Sequence, residues 1–172
     1  NGNKYEIEMT LEKKFRKGYY VTTTASLFNS LYTGSDNIER NSAYNNNYVV
    51  NALAGKEWKV GRSNAICIDG KMTAAGGKRY IPIDLQTSVK EGATEYDYSQ
   101  SFNKRYNDYF RADIKLTYRM NGQKVMQEIY LDFQNVTNSK NILREGYDNN
   151  SGIIRTQYQL GFTPSVNYRI QF

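Results

Sequence analysis

Apolar and polar residues alternate along much of this chain. From Phe110 to Met120, one parity holds Phe110, Ala112, Ile114, Leu116, Tyr118 and Met120, and the other holds Arg111, Asp113, Lys115, Thr117 and Arg119. Successive side chains of an extended strand point to opposite faces, so this run predicts a strand with one apolar and one polar face. The pattern recurs with Val125, Ile129, Leu131 and Phe133 against Glu128, Tyr130, Asp132 and Gln134. It recurs at the C-terminus, where Val166, Tyr168, Ile170 and Phe172 oppose Ser165, Asn167, Arg169 and Gln171. Near the start, Tyr5, Ile7, Met9 and Leu11 oppose Glu6, Glu8, Thr10 and Glu12; later, Ile66, Ile68, Met72 and Ala74 oppose Cys67, Asp69, Lys71 and Thr73. Residues 19–31 and 48–60 alternate less cleanly but are rich in β-formers, which brings the expected count to seven strands. No segment shows a 3.6-residue apolar period, so no helix is expected.

The connections alternate too. Tight turns are expected at 14–18, 61–64 and 121–124, and long polar loops at 32–47, 76–106 and 135–158. An antiparallel up-and-down meander with short turns at one end and long loops at the other follows. Loops beyond about 12–15 residues are uncommon in compact domains, whereas transmembrane β-barrels pair short turns at one rim with long loops at the other.

Alternation does not say which face sees water. A soluble sandwich or lipocalin-like barrel turns its apolar face inward; an outer-membrane barrel turns it to lipid and keeps a polar lumen. Charges stand in mid-strand at Arg111, Asp113 and Lys115, which suits a wet lumen or bulk water. Aromatics gather at strand ends, among them Tyr5, Phe15, Tyr19, Tyr20, Tyr48, Trp58, Tyr118 and Tyr168, as in the belts at membrane interfaces. The final strand closes on Phe172.

Composition narrows the chemistry. The 172 residues include 16 Tyr, 7 Phe, one Trp, one Cys and no His. Without His, a Ser-His or Asp-His mechanism is excluded, and one Cys excludes an internal disulfide framework. There is no run of 18 apolar residues to form a transmembrane helix. The 23 basic and 17 acidic residues are interspersed, which argues against a nucleic-acid surface. The opening Asn1-Gly2-Asn3-Lys4 lacks the apolar core of a signal peptide, so a mature product or a missing front is expected.

Several segments together resemble a known family. The final strand, Ser165-Val-Asn-Tyr-Arg-Ile-Gln-Phe172, is similar to the last strand of bacterial outer-membrane barrels. Residues 11–20 (LEKKFRKGYY), 34–41 (GSDNIERN), 48–58 (YVVNALAGKEW), 75–84 (AGGKRYIPID), 131–138 (LDFQNVTN) and 158–161 (YQLG) resemble, in order, the C-terminal barrel of Bacteroidetes-type TonB-dependent receptors. The resemblance implies an all-β fold that is part of a transmembrane barrel of about 22 strands in the full receptor. It implies energy-dependent uptake of a scarce nutrient such as a siderophore, glycan or peptide across the bacterial outer membrane, without a cofactor. Implied partners are outer-membrane lipid and lipopolysaccharide, the rest of the barrel and its plug, the TonB complex engaged through a missing N-terminal region, and a surface lipoprotein. It makes Val166, Tyr168, Ile170 and Phe172 the assembly signal. Plug and TonB box are absent, so residues 1–172 correspond to the last third of a barrel. An odd number of strands cannot close with matched neighbours, which also points to a longer product or a strand supplied by another chain.

Candidate sites are few. Glu6/Glu8 and Asp84 with Glu91 are carboxylate pairs without an apparent dry pocket, and no enzymatic activity is expected. Cys67 reads as a packing residue. Asp36, Asp97, Asp108 and Asp148 match no calcium-loop spacing, so no metal site is expected. Asn135-Val-Thr137 reads as a strand-end turn. The long loop 76–106 concentrates Lys78, Arg79, Tyr80, Tyr96, Tyr98, Arg105 and Tyr106, cations for anionic groups and rings for stacking, and is the expected ligand-binding region. A small structural or adhesive outer-membrane barrel and a soluble lipocalin-like binder remain as alternative readings.

Overall fold

The computed structural model describes residues 1–172. In chain order its elements are β1 (Gly2–Arg16), β2 (Tyr19–Thr33), β3 (Glu39–Asn41), β4 (Tyr48–Val60), β5 (Asn64–Ala75), β6 (Arg79–Tyr80), α1 (Leu85–Glu91), β7 (Lys104–Arg105), β8 (Tyr109–Asn121), β9 (Met126–Gln134), β10 (Ile142–Asp148), β11 (Ile153–Tyr158) and β12 (Thr163–Gln171). Seven of them form an antiparallel meander in the order β1-β2-β4-β5-β8-β9-β12, the seven strands that alternation predicts. The sheet is open, with β1 and β12 as its edges. No helix is long and apolar enough to cross a membrane, a criterion that does not bear on crossing by strands.

Turn chemistry fixes the short end. Lys17 and Gly18 both take positive φ, 56° and 75°, in the two-residue connection that matches the twist of paired strands. The long end departs from the sequence expectation of plain loops. β3 continues the β2 ladder at Leu31–Thr33, above the segment that β4 pairs. β6 and β7 pair over two residues as an antiparallel ladder across the segment that carries α1, and β10 with β11 forms a hairpin inside the expected loop 135–158. The helix α1 is a correction as well. Asp84 caps it by accepting from the Thr87 amide, and Gly92 ends it at φ 68°. Two turns are too short for a 3.6-residue period to register, so the caps were the only available signal.

Burial runs in antiphase to hydrophobicity. In β8 Leu116 and Tyr118 are exposed while Thr117 between them is buried; in β5 Ile66 and Ile68 are exposed around buried Cys67. Ile68 and Leu116 remain 41% and 36% exposed although hydrogen-bonded strands flank them on both sides, so no further layer lies over the apolar face. The buried positions sit on the polar face instead. There Arg119 donates to Glu57 at 3.0 Å and to Glu128 at 2.8 Å, and Arg169 approaches Glu128 at 3.5 Å. Tyr20 lies across Gly55 and donates to Asp69 at 2.7 Å, so any larger residue at 55 would meet its ring. This places Tyr20 on the polar face, away from the aromatic belt that its position at a strand end suggests.

The ion network sets a contrast between two arginines. Glu128 is 7% exposed, so losing Arg119 leaves a buried charge half-satisfied, at a cost of about 2–3 kcal/mol. The Arg169 side chain is 62% exposed, and its loss is expected to cost under about 1 kcal/mol. Urea unfolding of Arg119→Ala and Arg169→Ala checks this ordering; equal effects would mean that the network does not bear on stability.

Candidate functional site

The long connections order one another through asparagine and aspartate side chains. A loop cannot satisfy its own backbone as a ladder does, and short polar side chains with bonds to neighbouring chain solve this locally. Asn45, fully buried, accepts from the Ser30 amide at 3.0 Å and donates to Asn29 and Asn41, both at 2.7 Å. Asn141 accepts from the Phe110 amide at 3.0 Å and donates to the Phe110 carbonyl at 2.8 Å, as a neighbouring strand would. Asn135, in the left-handed conformation at φ 51°, receives its own carbonyl partners by donating to Ser139 and Leu160. The Asn135-Val-Thr137 segment is thus a strand-end turn. Asp36, Asp97 and Asp148 serve local turns: Asp36 is bidentate with Arg40, Asp97 caps the turn at Tyr98–Gln100, and Asp148 pairs with Arg155. Asp84 is spent on the cap of α1.

These ties bring six of the seven expected ligand residues together. Lys78, Arg79, Tyr80, Tyr96, Tyr98 and Tyr106 line one open cavity of about 340 Å³ at the long-loop end, a volume at the lower bound for small-molecule pockets. Tyr80 and Tyr106 stack in parallel, centroids 4.1 Å apart and planes 6° from parallel. Tyr96 and Tyr98 meet edge to face at 6.3 Å. Ile81, Ile83, Phe102 and Leu143 add apolar wall, and Arg144 and Glu145 add charge. Leu143, Arg144 and Glu145 come from β10, and sequence reasoning missed them because it left 135–158 without strands; the β-formers around 142–147 and 153–158 were the available signal.

The site's electrostatics follow from burial. Burial pushes the Tyr106 hydroxyl up to about 12, with the Glu145 charge adding to it, and Tyr80 is raised for the same two reasons. Both hydroxyls are therefore neutral donors at any physiological pH. Arg79 is not a free cation. It donates to the Asn45 carbonyl at 2.9 Å, the Phe102 carbonyl at 3.3 Å and Asn47 Oδ1 at 3.5 Å, latching the connection before β4 to that between β5 and β8 in the cavity wall. Lys78 is exposed. Arg105 does not line the cavity; its guanidinium reaches Asn47 at 3.5 Å and Asp108 at 4.0 Å. The remaining expected group, Val166, Tyr168, Ile170 and Phe172, lies apart from the cavity at the free edge of β12, with Phe172 91% exposed. A rigid aromatic wall with few mobile charges suits a ligand that offers rings or apolar faces together with hydrogen-bonding groups.

No family model, curated protein or solved structure matches this chain.

Asp108 ties the start of β4 to the start of the 76–106 connection. It accepts from the Tyr48 hydroxyl at 2.7 Å and from the Gly77 amide at 3.0 Å, and these bonds hold its carboxyl below the usual range. A depressed folded value means the stabilisation is complete above the ordinary carboxylate pKa of about 4 and is lost as pH falls through the lower folded value. The protection factor of the Gly77 amide is expected to hold down to about pH 4 and to fall below it. In Asp108→Asn the profile should be flat over the same range. A wild-type profile without pH dependence would contradict the clamp.

Proposed function

We propose that the chain is the C-terminal part of the barrel of a TonB-dependent outer-membrane receptor, importing a scarce nutrient such as a siderophore, glycan or peptide. One observation carries the membrane part of this reading: the apolar face of the meander is the uncovered one. Ile66, Ile68, Ile114, Leu116, Ile129, Leu131, Val166 and Ile170 form a continuous exposed patch across the four neighbouring strands β5, β8, β9 and β12. Monomeric soluble proteins rarely leave apolar patches beyond about 300–600 Å². Each of the seven meander strands has at least nine residues, and about 9–11 span a bilayer. The polar, ion-paired face then lines a wet lumen, the short turns face the periplasm and the cavity opens to the outside.

The receptor part draws support from the ordered cavity at the long-loop end and from the two free sheet edges, where the rest of the barrel would pair. In this reading the plug fills the lumen and couples to the TonB complex, while the loop end meets lipopolysaccharide and a surface lipoprotein. A small structural or adhesive barrel accounts for the same faces but gives the stacked tyrosines no task. A soluble lipocalin-like binder would turn Ile114 and Leu116 inward, and their exposure weighs against it.

Site-directed labelling in a Cys67→Ser background tests the reading. Ile114→Cys and Leu116→Cys are expected to resist water-soluble maleimides and to lose attached-probe fluorescence to lipid-borne nitroxides; Lys115→Cys should behave in the opposite way. Leu116→Arg should destabilise by about 2–4 kcal/mol, the cost of Arg on a lipid face at mid-depth. Silence of positions 114 and 116 to lipid quenchers in the native assembly would remove the membrane and the receptor together.

A further inference from the structure

Two lysines stand on the apolar face where alternation calls for hydrocarbon. Lys13 pairs with Val21, and Lys56 with Tyr19 on one side and Ile68 on the other, so both share that face at its short-turn end. Lys13 Nζ lies 3.3 Å from the centroid of the Tyr19 ring. Lys56 Nζ lies 5.4 Å from the same centroid and 6.0 Å from that of Trp58. Neither ammonium has a carboxylate within 4 Å, because Glu57 and Glu128 point to the other face and are taken by Arg119 and Arg169. Both heads turn toward the tight turn: Lys13 Nζ donates to the Arg16 carbonyl at 3.4 Å and Lys56 Nζ to the Lys17 carbonyl at 3.5 Å. Their stems thus cover apolar surface while their charges sit at its rim, the snorkelled arrangement of cations at a hydrocarbon boundary.

We infer that Lys13, Lys56, Tyr19 and Trp58 form a binding site for the phosphodiester headgroup of an anionic phospholipid. The inference rests on the membrane reading above. Ring contact stabilises each ammonium but leaves N–H donors unspent, and phosphate oxygens accept them. Directly beyond the pair on the same face, Val21, Ala54 and Ile68 offer an exposed apolar track for an acyl chain. A free phosphate gains nothing from such a track, which commits the site to lipid. Two uncompensated positive charges favour a headgroup with net negative charge over a zwitterionic one, whose own ammonium meets the lysines.

Trp58 is the single tryptophan of residues 1–172 and reports on the site without a label, its signal being the difference between the protein and its Trp58→Phe variant. The protein is reconstituted in phosphatidylcholine vesicles in which the same mole fraction of brominated lipid is either phosphatidylglycerol or phosphatidylcholine. Brominated phosphatidylglycerol is expected to quench Trp58 with an apparent preference of about fivefold or more, as one or two lysines at an anionic surface provide. Lys13→Gln/Lys56→Gln should abolish the preference and leave quenching by brominated phosphatidylcholine in place. Equal quenching by the two lipids in the wild type, or a preference that survives in the double variant, would overturn the site and leave the membrane reading standing. No quenching by either lipid would overturn both.

Discussion

In-register antiparallel pairing divides the side chains of this sheet between two faces, and only the polar face satisfies itself. Arg119 between Glu57 and Glu128, and Tyr20 over Gly55 onto Asp69, give that face its own counter-charges and hydrogen bonds. The opposite face has no partner in the chain. Burying Ile, Leu and Val side chains is worth about 1.5–3 kcal/mol each, so a continuous field of them left open asks for a second solvent. In the reading proposed above hydrocarbon supplies it, and the roles given there to strand length and to the lysines at the rim follow from that demand.

The two ends of the sheet answer different constraints. At the short end, the two-residue connection from β1 to β2 needs only positive φ, which Lys17 and Gly18 supply. At the long end the chain must leave the ladder and return, and its backbone groups need partners away from the sheet. Asn45, Asn135 and Asn141 provide them, each nearly or fully buried and each bonded to a different segment. Because those connections are held by specific bonds, the rings of Tyr80 and Tyr106 stack over a defined cavity wall, and Arg79 belongs to the wall.

The meander was legible because period-2 alternation survives wherever one face differs from the other in solvent, whichever solvent that is. Phe110–Met120 reads as a strand at sight and is one. Elements held by local bonds were not legible in this way. α1 depends on an Asp84 cap and the Gly92 terminus, and β10–β11 depend on pairing with each other and on Asn141, which no apolar period reports. The tyrosines of loop 76–106 were visible as a concentration of rings, while the contribution of Arg144 and Glu145 required knowing that β10 returns beside them. Arg79 and Arg105 looked equivalent in sequence; their fates diverge because one guanidinium is enclosed by carbonyls and the other faces Asp108.

The most direct measurement of the uncovered apolar face is sedimentation of the purified protein as detergent is withdrawn. Monodisperse particles carrying a bound detergent belt, with aggregation once the detergent falls below its micellar concentration, are expected. A monodisperse protein that binds no detergent and stays in solution without it would contradict the assignment of Ile114, Leu116, Ile129, Leu131 and Ile170 to hydrocarbon.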